Sequence, residues 1–139
     1  MGNPIKRFGV SLDMDLLDNF DVFCRKAGYA SRSEAIRDLI RDRLINEQCH
    51  DEETEAVGIL GLVYSHDTPD LTETLTRIQH ENIHIILSSS HIHLSRHNCL
   101  EVILLKGECG ILRSVAEKLI SIRNVKHGKL VLTSAGKDL

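Results

Sequence analysis

The chain has no tryptophan, only two prolines, and no apolar run near the ~20 residues that a bilayer-spanning helix requires. Its start, MGNPIKRFGVSLD, lacks the apolar central region of a secretory signal, so the expectation is a cytoplasmic protein with no membrane partner. An excess of positive charge is missing too. The formal net charge of −3 over 139 residues excludes a basic nucleic-acid coat. No HExxH, GxSxG or phosphate-loop motif occurs, and nothing in the chain reads as an enzyme. Low-complexity tracts are absent, and the composition is that of a folded protein. What is abundant is histidine: eight in all, seven of them between His66 and His127. The four cysteines (Cys24, Cys49, Cys99, Cys109) are unsuited to a disulfide framework in such a chain and suggest metal ligation or burial.

The charge is unevenly shared. Residues 1–45 carry eight Lys and Arg against seven Asp and Glu, and the remainder carries nine against thirteen. Any DNA-binding part is therefore local and N-terminal. The acidic stretch NEQCHDEETE at 46–55 has no periodicity and reads as a linker or a fraying helix end. The resulting division is 1–48, a linker at 49–55, and 56–139.

In IKRFGVSL, Phe8, Val10 and Leu12 alternate with Arg7, Gly9 and Ser11, the period of a strand with one apolar face. A helix follows, with Leu16, Leu17, Phe20, Cys24 and Ala27 on one stripe and Gly28 at its end. In a second helix Ser31 and Glu34 fit a capping box, and Ile36, Leu39, Ile40 and Leu44 form the apolar stripe. About 45 residues holding one strand bury too little to stand alone. The strand needs a partner, and the same strand of a second chain supplies one. The implied unit is a homodimer with a two-stranded antiparallel ribbon, which fits the DNA major groove. It resembles the ribbon–helix–helix fold of bacterial repressors. A dimerisation module that touches no DNA is the alternative.

After the acidic stretch the pattern is strand (AVGILGLVYS), helix (TPDLTETLTRIQHENI, capped by Thr68 with Pro69 in its first turn), two strands (HIILSSSHIHLS and NCLEVILLKGE), helix (GILRSVAEKLISIR) and strand (GKLVLTS). This βαββαβ order is ferredoxin-like: a four-stranded antiparallel sheet with both helices on one face. The other face is left open for another chain. The fold class is α+β, βαα followed by βαββαβ.

On a strand, residues two apart share a side, so His91 and His93 can address one ion. A turn near Arg96–Asn98 brings Cys99 alongside on the next strand, and one hairpin then supplies three soft donors. Glu101, two residues further, can accept a hydrogen bond from a ligand imidazole. His-x-His alone is more often a polar row than a site; Cys99 strengthens the reading. A fourth ligand could be His80 or His84 from the intervening helix, of this chain or a neighbouring one, and pattern alone does not choose.

RSEAIRD at 32–38, YSHD at 64–67, QH at 79–80, HIH at 91–93, NCLE at 98–101, LKG at 105–107 and VKHG at 125–128 together resemble the nickel-responsive transcriptional regulators over nearly the whole chain. The resemblance implies a nickel ion per subunit at His91, His93 and Cys99, completed by His80 of another subunit. It implies a homotetramer, a dimer of dimers, whose core is built from ACT-like βαββαβ domains. It further implies a second, weaker cation, monovalent or divalent, near Glu34 and Asp38 and the backbone carbonyls of Ile120, Ile122 and Val125. Arg7, Gly9 and Ser11 match the row that faces the operator, and Lys6 adds a phosphate contact. Gly9 departs from the usual polar residue and offers no base contact. The expected activity is nickel-dependent repression of nickel-uptake genes. Ligand chemistry alone suits zinc or copper(II) as well, and a regulator that binds a small organic effector is the rival reading.

Overall fold

The computed structural model describes residues 2–137, and the chain divides into two compact units between Asp42 and Arg43. In the first unit, residues 2–13 form no β-ladder. A strand exists only as a hydrogen-bonded pair, and a single chain offers no second strand. The apolar row is correspondingly bare: Phe8 is 72% exposed, and Val10 and Leu12 are exposed as well. Helix α1 (Met14–Ala27) starts at Asp13, whose carboxylate accepts from Leu16 N–H at 2.8 Å. It stops at Gly28, at φ +80°, where Gly28 and Tyr29 N–H donate to the carbonyls of Arg25 and Cys24. Helix α2 (Arg32–Gln48) is opened by the Ser31 hydroxyl, which accepts from Glu34 N–H at 3.2 Å. A paired Arg32–Asp21 contact, both N···O distances 2.8 Å, ties the two helices.

The stripes expected to be buried on these helices are largely open in the single chain. Of the first stripe only Cys24 is buried; on α2, Leu39, Ile40 and Leu44 are exposed and Ile36 half-buried. So much apolar surface on so small a unit is the mark of an interaction face.

The second unit is the βαββαβ arrangement: β1 (Glu55–Ser65), α3 (Leu71–Glu81), β2 (Ile86–His93), β3 (Asn98–Glu108), α4 (Cys109–Ile120) and β4 (Val125–Ser134). The sheet runs β2-β3-β1-β4, antiparallel throughout. Alternation decides the faces. Leu60, Leu62 and Tyr64 of β1 and Ile103 and Leu105 of β3 join a core with Leu71, Leu75 and Ile78 of α3 and Leu112 and Leu119 of α4. The opposite face leaves Ile59, Ile92 and Val131 exposed.

One local reading changes. Thr68 does not cap α3: the helix begins at Leu71 behind Asp70, whose φ of +61° breaks the helical path from Pro69. Residues 46–48 continue α2, and 49–54 are hydrogen-bonded turns. The carbonyls of Thr54 and Glu52 accept from Cys109 and Gly110 N–H, both at 2.9 Å. Those amides open α4, whose N-cap Glu108 makes no side-chain cap, so the turns satisfy donors that would otherwise be orphaned.

Gly128 marks the closest approach of β4 to its neighbours. A Cβ there would lie 2.5 Å from Ile120 Cγ1 and 2.9 Å from Leu62 Cδ2. Gly128→Ala is expected to destabilise the fold by about 1–3 kcal/mol through overpacking, read as a lower urea midpoint at unchanged slope.

Candidate metal centre

The β2–β3 hairpin carries the donors. Leu94 and Ser95 N–H both donate to the Asn98 carbonyl, and the Ser95 hydroxyl accepts from His97 and Asn98 N–H, which closes the turn. The ladder that follows sets His93 opposite Cys99 and His91 opposite Glu101. All four side chains therefore share the helix-covered face, at the edge strand of the sheet. Their burial differs: Cys99 is 3% exposed and Glu101 1%, whereas the His91 side chain is 51% exposed. The imidazoles are thus presented outward over a buried thiol and carboxylate.

Glu101 is a buried acid held by three donors. Tyr64 hydroxyl donates to Oε2 at 2.9 Å, and Gln79 Nε2 and Ser89 hydroxyl donate to Oε1, each at 2.7 Å. His91 Nε2 stands 3.5 Å from Oε1, beyond hydrogen-bond length, because that oxygen already serves two donors. The imidazole meets the carboxylate through Tyr64, whose hydroxyl lies 3.2 Å from His91 Nδ1. Burial, then the neighbouring Glu101 charge, holds the Tyr64 proton far above the ordinary phenol range. At neutral pH Tyr64 is therefore a neutral donor to Glu101.

His66, given no role in the sequence reading, stands in this cluster. Its Nδ1 lies 3.7 Å from Cys99 Sγ, and its ring meets the His93 ring edge-on with centroids 5.5 Å apart. Asp67 beside it contacts His97 at 2.5 Å, a pairing that lowers the Asp67 pKa. His66 lies beyond the end of β1, where alternation no longer says which way a side chain points; only its place in YSHD hinted at it.

The remaining expected residues are placed as follows. His80 is exposed in the last turn of α3, while its neighbour Gln79 turns inward to Glu101. His84 is exposed as well. Among the described residues of the single chain, no three or more His, Cys, Asp or Glu side chains converge closely enough to hold an ion. The donor chemistry nevertheless fits a borderline transition metal: imidazoles and a thiol over a hydrogen-bonded carboxylate. Glu34 and Asp38 lie one turn apart on α2 and line a shallow pocket with Tyr29, Arg37 and Arg41. The Tyr29 hydroxyl donates to Asp38, a bond that raises its pKa. Lys6, Arg7, Gly9 and Ser11 are all exposed, and open space surrounds Gly9. No helix among the described residues is long and apolar enough to cross a membrane.

A short N-terminal helical unit and a histidine–cysteine edge on a βαββαβ sheet define the class: a DNA-binding regulator with a metal-binding domain. Comparison with known proteins agrees at both ends. Residues 6–47 match the model of the ribbon-helix-helix protein, copG family, and residues 57–133 that of the NikR C terminal nickel binding domain. A relative from Nitratidesulfovibrio vulgaris (strain DP4), named as a nickel-responsive regulator, is 53% identical over 139 residues, covering 100% of this chain and 99% of the relative. Another of the same name from Thermococcus onnurineus (strain NA1) is 45% identical, covering 97% and 98%. An uncharacterized protein from Thermotoga maritima, 19% identical, shares the fold at a TM-score of 0.51 over 57% of this chain and 98% of its own. The chain belongs to the nickel-responsive regulator family; it is not an enzyme.

Proposed function

We propose that this protein is a cytoplasmic repressor of nickel-uptake genes that binds a double-stranded operator when nickel is present. It acts as a homotetramer, a dimer of dimers. Each nickel ion is held by His91, His93 and Cys99 of one chain and by His80 of a neighbouring chain. The observation that supports this reading best is the register of the β2–β3 hairpin, which puts His91, His93 and Cys99 on one face over the buried Glu101. The exposed His80 and the apolar open face around Ile59, Ile92 and Val131 suit a site completed between chains.

The residues divide the work. Glu101, through Tyr64, fixes the orientation of His91 and keeps the donors in place before binding. Gln79 ties the end of α3, and so the neighbourhood of His80, to the same carboxylate. A ligand set divided between chains makes metal affinity depend on quaternary arrangement, and by reciprocity metal binding biases that arrangement. Moving a state from 1% to 99% populated needs about 5.5 kcal/mol of differential affinity. A metal site worth roughly 10 kcal/mol or more can supply it. In the N-terminal unit, Phe8, Val10 and Leu12 close on the partner strand, and Arg7, Gly9 and Ser11 face the groove, with Lys6 at a phosphate. A second cation, monovalent or divalent, sits near Glu34 and Asp38.

The test is titration of a promoter fragment with full-length protein at buffered free nickel, zinc and copper. Operator binding in the nickel series alone is the expected result; equal binding without metal contradicts the reading. In the same assay Arg7→Ala is expected to weaken operator binding by about 1–3 kcal/mol, roughly 5- to 150-fold, while nickel affinity measured by calorimetry stays unchanged.

A further inference from the structure

Glycine weakens a strand, and at position 9 nothing within the chain demands it. Among the described residues the glycines with positive φ are Gly28 and Gly136, and Gly9 is not one of them. A Cβ built on Gly9 meets no atom within 4 Å, in contrast to Gly128, where one would collide with Ile120 and Leu62. An L side chain therefore fits at position 9 without strain. Strand pairing supplies no reason either. Gly9 has the parity of Arg7 and Ser11, opposite to the apolar row Phe8, Val10 and Leu12. A partner strand lies beside Gly9 in the plane of the ribbon, and the apolar row takes the helix side, so the space above Gly9 stays free in a dimer. What meets that side of a ribbon in this family of fold is the DNA groove.

We propose that Gly9 leaves one base-pair position of each operator half-site unread, so that this row selects sequence through Arg7 and Ser11 alone. The inference rests on the reading of residues 6–47 as a ribbon that enters the groove. The Arg7 guanidinium can donate twice to guanine, at O6 and N7, and the Ser11 hydroxyl can donate or accept once. Gly9 has only its peptide N–H and carbonyl, and these lie in the plane of the ribbon rather than toward the base edges. The middle of the row is therefore silent in both chains of a dimer. The operator is correspondingly tolerant. Changing a guanine that faces Arg7 weakens binding roughly 5- to 150-fold, whereas changing the base pair that faces Gly9 alters it less than about twofold. Position 9 is the place where this chain's specificity can be widened or narrowed without touching the other reading residues.

The test is selection of duplexes from a randomised pool by full-length, nickel-loaded protein, followed by sequencing and by gel shift of single-base variants. Wild type, Arg7→Ala, Ser11→Ala and Gly9→Asn are compared, and nickel stoichiometry by calorimetry confirms that each is folded. In the expected wild-type pool the preferences fade in Arg7→Ala or Ser11→Ala, and a position beside them is degenerate. Gly9→Asn keeps those preferences and gains adenine at the degenerate position, because a carboxamide pairs with adenine N6 and N7; a base change there then costs about fivefold or more. A Gly9→Asn pool identical to the wild-type pool overturns the proposal, since position 9 then does not face the bases. So does a nickel-loaded Gly9→Asn that binds no sequence, since glycine then serves close approach of the backbone. A wild-type preference at the position that Gly9→Asn alters overturns it too. A wild-type protein that selects no sequence at any nickel level is a different failure, that of the DNA-binding reading itself, and the inference falls with it.

Discussion

His91→Ala is expected to abolish nickel-dependent operator binding without unfolding the protein. His91 is half-exposed on an edge strand, and its side chain contributes little to the core. Its contacts are the Tyr64 hydroxyl at 3.2 Å and the Glu101 carboxylate at 3.5 Å, and both groups keep their other partners when the imidazole is removed. The thermal midpoint of the metal-free protein therefore stays within a few degrees of wild type. The proposed site loses one of its four ligands. If a site of this kind is worth roughly 10 kcal/mol, one ligand is worth roughly 2–3, so nickel affinity falls on the order of 100-fold. Calorimetric titration checks the affinity and gel shift at buffered nickel checks the DNA. A variant that still captured operator in response to nickel would contradict the ligand assignment.

Glu101→Leu is expected to have the opposite profile, with a large loss of stability before any metal is added. The carboxylate accepts from Tyr64, Gln79 and Ser89 at 2.7–2.9 Å while almost wholly enclosed. Leucine fills the space and accepts nothing. The buried Tyr64 hydroxyl then lacks its partner, and Gln79 and Ser89 must find water. The expected cost is about 3 kcal/mol, equivalent to a fall of roughly 10 °C or more in the midpoint of a domain this size. Nickel affinity falls as well, because the end of α3 and the His91 ring lose their common anchor. Glu101→Gln separates the two effects. It retains the shape and one acceptor oxygen, and it recovers part of the stability in a calorimetric scan.

The fold was legible where periodicity is strong. AVGILGLVYS is recognisable as a strand, and the βαββαβ order emerges with its antiparallel sheet, whereas the faces taken by Leu60, Leu62 and Tyr64 come from the structure because the segment is apolar on both sides. The short turn told that Cys99 comes alongside the strand of His91 and His93; the register that sets His93 opposite Cys99 is the structure's. Four things were not legible, each for a physical reason. IKRFGVSL has the period of a strand, but its unit holds no other strand to pair with, so residues 2–13 carry no ladder. Thr68 and Pro69 look like a helix start, yet the left-handed Asp70 moves it to Leu71. Cys49 lies in an acidic stretch without periodicity and is a core residue, because the turns after α2 pack on distant elements to which local patterning is blind. Gln79 was noticed only as part of a two-residue motif, while its bond to Glu101 depends on how α3 lies over the sheet.

The central claim, that each nickel site is completed by a second chain, is tested most directly by mixing two variants. His80→Ala and His91→Ala each lack one proposed ligand and are each expected to bind nickel weakly. Allowed to exchange subunits, they form mixed tetramers in which His91, His93 and Cys99 of a His80→Ala chain meet the intact His80 of a His91→Ala chain. The account predicts that tight nickel binding returns in the mixture, at sites absent from either parent. If the mixture binds no better than its components while subunit exchange is shown by mass spectrometry, all ligands come from one chain and the account is contradicted.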